Sequence, residues 1–233
     1  MLQVLHPEEF RLIDHAEYTM LAADKGYQKA NDWGGGRCPV CKRPMYSRGG
    51  HKKDDGHFYH NDKEFCPTKE PAARPYISKP PTKIDVEAEE RNRNFVRENI
   101  EQIYGVLNQD LVPFLDFKEF ISILKRAKEL RVYGYANLEP GLLPYVYATL
   151  INFLPSKSRD KKRKLKFCFF FDAAIQEFDD LWIDRGEHSV FLRVSYNGQE
   201  TKKVNMFNLN DTYLNKEYFK MSDKQKKWAM RNI

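Results

Sequence analysis

Long apolar runs are missing from this chain. No stretch approaches the roughly 18 uninterrupted apolar residues of a membrane helix, so no contact with a membrane is expected. The opening decapeptide MLQVLHPEEF carries acids early and lacks a basic start followed by an apolar run, so it does not read as a signal peptide. Cysteine is scarce, with 4 in 233 residues. A cytoplasmic setting, where thiols stay reduced, is the expectation. Gly34–Gly36 lacks the following Lys-Ser/Thr of a phosphate-binding loop. There is no Gly-x-Ser-x-Gly nucleophile elbow and no internal repeat.

Aromatics and charge are abundant. Aromatic residues make up 14% of the chain, too many for a disordered protein, and hydrophobic residues at 41% can supply a core. The length suits one large domain or two small ones. The net charge of +6 is unevenly placed. Segment 156–166 holds seven Lys/Arg against one Asp, and segment 37–79 holds ten against five Asp/Glu. The rest is slightly acidic. A localised basic field attracts polyanions or acidic protein surfaces.

The pattern along the chain predicts an α+β protein. It comprises a small zinc-knuckle unit, a helical middle, and an antiparallel β-hairpin sheet with a terminal helix. A helix is expected after Pro7, with a loose stripe of Phe10, Ile13, Tyr18 and Leu21. This makes 1–36 a helical segment, broken at Trp33-Gly34-Gly35-Gly36. Residues 37–82 form a polar, cysteine-bearing module whose Pro-rich end reads as a stiff linker. Across 83–155, Val96, Ile100, Ile103 and Leu107 recur at helical spacing. Asp116 and Glu119 form a capping pair before Phe117, Phe120, Ile121 and Leu124, and a third helix fits between Pro140 and Pro155. In 156–233, the run LKFCFFF reads as a buried strand. Asn197-Gly198 marks a hairpin, and Ser222 with Gln225 starts a final helix.

The sharpest signal is Cys38-Pro39-Val40-Cys41, followed by His57-Phe58-Tyr59-His60 and then Cys66. A two-residue gap lets two thiolates reach one ion. Thiolate and imidazole together suit tetrahedral Zn²⁺. Cys38, Cys41, His60 and Cys66 are the candidate ligands, with His57 as the alternative to His60 and His51 behind both. Four protein ligands leave no open position for water, so the role expected of the zinc is structural. Cys168, within Phe167–Phe171, is expected to be a buried core thiol.

Over about residues 37–66, the CxxC pair, the Gly- and Lys-bearing loop and His57-Phe58-Tyr59-His60 resemble the zinc-finger-like N-terminal module of the competence protein CoiA family. That module precedes a nuclease-like domain. The resemblance therefore implies a bacterial protein that works on DNA. Two nuclease readings follow from the residues themselves. Asp184 with Glu200-Thr201-Lys202 has the acid and acid-x-Lys pattern of Mg²⁺ enzymes. If Asn197-Gly198 closes a tight hairpin, Glu200 faces Ser195, and Asp184 lies on the order of 35 Å along the ladder, too far to share an ion. An HNH-like site would need His57 or His60 with Asn61.

The favoured expectation is a non-catalytic, zinc-binding protein associated with nucleic acid, DNA ahead of RNA, in bacterial DNA processing or anti-phage defence. Lys42, Arg43 and Arg48 would contact phosphate, with Tyr46 or Phe58 stacking on bases. Lys161, Lys162, Arg163 and Lys164 would form a second anchor. The alternative for that run is a solvated loop tip whose charge discourages strand aggregation. The competing function is a protein–protein adaptor, its partner subunit meeting the zinc unit and the aromatic-rich segment Tyr133–Phe153.

Overall fold

The computed structural model describes residues 1–49, 56–69, 83–157, 163–172, 180, 190–198 and 200–233. Strand β6 (Lys166–Phe171) explains the fold's layering. It has almost no polar residue because it is buried on both faces. It pairs antiparallel with β7 (Val190–Asn197), which pairs antiparallel with β8 (Glu200–Asn208). Alternate side chains leave opposite faces of a strand. Phe167, Phe169, Phe171 and Phe191 enter a core built with the helices. Cys168, Phe170, Leu192, Val194 and Tyr196 enter a second core. That second core also holds Tyr18, Trp33, Val40, Phe58, Cys38 and Cys66. The three-stranded sheet is thus the wall between the helical middle and the cysteine module.

The hairpin turn corrects the expected register. Glu200 faces Asn197, not Ser195, so the turn begins at Gly198. Gly198 has φ +60, a conformation glycine adopts without Cβ strain. A bulge between Ser195 and Tyr196 then places Ser195 opposite Lys203. Asp184 lies outside the described residues.

The helices follow the apolar spacing. Asp85 caps α2 (Val86–Glu98) by accepting N–H donors from Glu87 and Ala88. Helix α3 (Ile100–Gly105) continues as a π-helical turn, Val106–Leu111. The stripe Val96, Ile100, Ile103 and Leu107 is buried throughout. Helix α4 (Phe117–Glu129) carries the expected Asp116/Glu119 capping box. Helix α5 (Leu143–Thr149) follows the 3₁₀ turn Pro140–Leu142. Helix α6 (Asp223–Met230) has the Ser222/Gln225 box. Burial of each large aliphatic or aromatic side chain here is worth about 1.5–3 kcal/mol. Tyr133, Tyr145, Tyr147 and Phe153 are all buried in this core, so they do not supply the adaptor surface that segment 133–153 suggested. Among the described residues, no helix is long and apolar enough to cross a membrane.

The beginning of the chain departs from the expected helix. Val4–Leu5 (β1) and Leu12–Ile13 (β2) form a short antiparallel pair, and α1 starts only at His15 and ends at Asp24. Asp14 caps α1 by accepting from the Glu17 N–H. The loop holding Pro7 is fixed from outside: Arg37 donates to the carbonyls of His6 and Glu9. The His6 ring also accepts N–H bonds from Glu8 and Glu9. β1 pairs with β3 (Gly36–Arg37), which leads to β4 (Pro44–Arg48) and β5 (His57–Tyr59). The order is β2-β1-β3-β4-β5. Residues 1–36 therefore share one sheet with the cysteine module.

Candidate metal centre

The chain returns Cys38, Cys41, His60 and Cys66 to one point. Cys38 follows β3, and Cys41 ends the turn before β4. His60 follows β5, and Cys66 precedes the 3₁₀ turn Pro67–Lys69. The turn is closed by Cys38 N–H to the Arg43 carbonyl (2.8 Å) and Lys42 N–H to the Cys38 carbonyl (2.9 Å). Lys42 takes φ +62 to make it, at a cost of about 1–2 kcal/mol for a residue with a Cβ.

The ligand atoms of the four residues all lie within 4.8 Å of one another, so the group could hold a metal ion. The Sγ atoms of Cys38 and Cys66 are 3.8 Å apart, and Cys41 Sγ is 3.8 Å from His60 Nε2. A tetrahedral ion with bonds of about 2.3 Å to sulfur and about 2.0 Å to nitrogen needs edges of about 3.5–3.8 Å. His57 sits in β5 opposite Arg48 and is not part of the cluster.

The four side chains share protons among themselves. Hydrogen bonds from Cys38 and Cys66 hold the Cys41 thiol far below the ordinary thiol range. Sharing with Cys41 pushes Cys38 well above it. Burial opposes a charged His60, but the facing Cys41 and Cys66 sulfurs outweigh it and raise the imidazole to about 9. A divalent ion would replace these shared protons, since metal ligation requires thiolates and a neutral imidazole.

The surroundings brace the ligands, and sequence reasoning missed most of these residues. Arg43 Nε donates to Cys41 Sγ at 3.4 Å. Its Nη atoms reach Asp62 (3.0 Å) and the carbonyls of Glu64 and Phe65 (3.2 and 2.8 Å). One guanidinium thus ties the CxxC turn to the loop before Cys66. Lys69 Nζ reinforces that loop through Asp62 and the Glu64 carbonyl. His60 Nδ1 is buried without a hydrogen-bond partner, and the Asp62 carboxylate lies 3.8 Å from it. Negative charge on that side of the ring favours a proton at Nδ1 and leaves Nε2 to ligate. Thr68 Oγ1 lies 3.2 Å from Cys66 Sγ. Asp62 and Lys69 lie close to the motif in sequence, but their roles depend on how the loop closes.

The basic residues have divergent fates. Arg43 is an internal brace. Lys42 Nζ pairs with Asp172 at 2.9 Å, linking the knuckle to the end of β6. Arg163 is buried, with its side chain 4% exposed. It pairs through both Nη atoms with Glu119 and donates to the carbonyls of Leu154 (2.7 Å) and Phe114 (3.1 Å). It is a structural cation and not a surface anchor. Lys164 is exposed, and Lys161 and Lys162 lie outside the described residues. Arg48 is exposed and lies 4.7 Å from the Tyr59 ring centroid. Phe58 points inward and is buried, so it cannot stack on a base; its neighbour Tyr59 faces outward. Strand alternation between Phe58 and Tyr59 was the signal that could have separated them.

No family model matches the chain, and neither curated proteins nor solved structures yield a match.

Proposed function

We propose that this chain is a non-catalytic, zinc-stapled protein that associates with nucleic acid through its basic surface. The observation that carries the reading is the Cys38/Cys41/His60/Cys66 quartet. Its donor set is that of a structural zinc site, and it is complete without water. The nearby Arg43, Asp62 and Lys69 brace loops around the ligands rather than opening a path to them. The basic excess over 37–79 supplies the attraction for phosphate. The likeness to the CoiA-family module favours DNA as the polyanion and a bacterial setting in DNA processing or defence.

The test combines metal analysis with filter binding of DNA and RNA across salt concentrations. The expected result is equimolar zinc, with retention at low salt that falls steeply as salt rises. Reversal of Lys161, Lys162 and Lys164 to Glu should weaken retention. Arg163 must stay, because reversing it would bury a carboxylate against Glu119. No retention of any nucleic acid would overturn the reading and favour an adaptor.

A further inference from the structure

One face of the cysteine module has chemistry that fits a ligand class. Strands β4 and β5 present opposite faces of different character. Met45, Ser47 and Phe58 point inward and are buried. On the outer face Tyr46 pairs directly with Tyr59, and Arg48 pairs with His57. The Tyr46 and Tyr59 rings have centroids 6.3 Å apart and are inclined by 40°, so they do not stack on one another. The Arg48 guanidinium lies over Tyr59. Tyr46 is backed by the chain at Gly34, where a Cβ would come within 2.8 Å of its ring. That close backing limits the freedom of the ring.

Arg48 also differs from the three cations that brace the knuckle. Lys42, Arg43 and Lys69 each have a carboxylate partner, whereas among the described residues Arg48 has none. A sheet face that carries two phenol rings and a cation without an acid is matched by a flat, electron-rich, polyanionic ligand.

We propose that the outer face of β4–β5 is a stacking platform for unpaired bases of single-stranded nucleic acid, with Tyr46 and Tyr59 as the base-contacting rings and Arg48 as a phosphate or base-plane contact. This rests on the nucleic-acid reading above and narrows it. Unpaired bases expose π-faces that a duplex hides, and aromatic platforms bind them with little sequence preference. An acidic protein surface would satisfy Arg48 but would give the two rings no role.

The test is fluorescence anisotropy on the zinc-loaded full chain, with a labelled mixed-sequence DNA strand, its RNA equivalent and the matched duplex. Either single strand should bind more tightly than the duplex. Tyr46→Leu and Tyr59→Leu should each weaken single-strand binding by about 5- to 150-fold, while Tyr46→Phe and Tyr59→Phe retain it. Arg48→Ala should lower the salt slope by about one. Zinc content and the melting curve check each variant, and Arg48→Ala serves if a tyrosine variant fails to fold.

If single strands bind but the leucine variants match the parent, the platform is wrong and the wider reading survives. Duplex binding as tight as single-strand binding has the same consequence. If the parent binds none of the three probes, the wider reading fails. Competition by a polyglutamate peptide, with no effect of the leucine variants, would move the face to an acidic protein partner.

Discussion

The two sides of the three-stranded sheet solve the same problem by different means. On one side, α2 to α6 bury a continuous set of aliphatic and aromatic side chains, and α2, α4 and α6 start on side-chain caps. On the other, the strands of the cysteine module run from two to five residues. Ordering each residue costs about 1–2 kcal/mol of backbone entropy. Long helices offset that cost with repeated apolar burial. The module has fewer such side chains, and its loops around His60 and Cys66 are held by polar braces beside the four candidate ligands. The contrast teaches that the basic residues near the knuckle are first of all mortar for a small core. Among the described residues, Arg48 is exposed and has no acid partner.

The largest test of that contrast is metal removal. The binding free energy of a structural zinc is on the order of 10 kcal/mol. Chelation should therefore release the module while α4 stays folded. Hydrogen exchange should show lost protection at β4 and β5 and retained protection in α4. Exposure of the sheet face bearing Phe170 and Leu192 should increase binding of a hydrophobic dye. Unchanged exchange after verified metal loss would show that the module stands on apolar packing alone.

A smaller effect breaks the other side. Glu119 both closes the α4 capping box and pairs with buried Arg163. Glu119→Ala leaves that guanidinium uncompensated and should cost about 3–5 kcal/mol, read as a lower denaturation midpoint with zinc content unaltered. Loss of zinc together with stability would mean that the two sides do not respond separately. Smallest is Ser222→Ala at the start of α6, where loss of the cap should cost about 1 kcal/mol. A thermal scan checks it, and no measurable shift would show that packing of Ala229 and Ile233 fixes α6 without its cap.

Much of this was legible in residue patterns. The α4 and α6 capping boxes, the apolar stripe through Val96 to Leu107, the β6 strand and the β7–β8 hairpin all express short-range rules of spacing and turn chemistry. The four candidate ligands were also visible, because CxxC spacing is local and few other donors lie within reach. The strands at Val4–Leu5 and Leu12–Ile13 were not. Each is two residues long, and its pairing depends on β3 and on Arg37 holding the intervening loop. The hairpin register differs from the expected one because Asn197 ends a strand instead of opening the turn and so faces Glu200; the bulge at Ser195/Tyr196 then shifts the ladder once more.

Composition and spacing by themselves determined the α+β character, the starts of α4 and α6 and the candidate ligand set, since these depend on neighbours a few residues away. Tertiary structure alone decided what each cation does. Arg163 meets Glu119 from 44 positions away, Lys42 meets Asp172, and Arg48 meets Tyr59 across a strand pair. Electrostatic attraction and desolvation act through distance in space, and the chain's order does not record it.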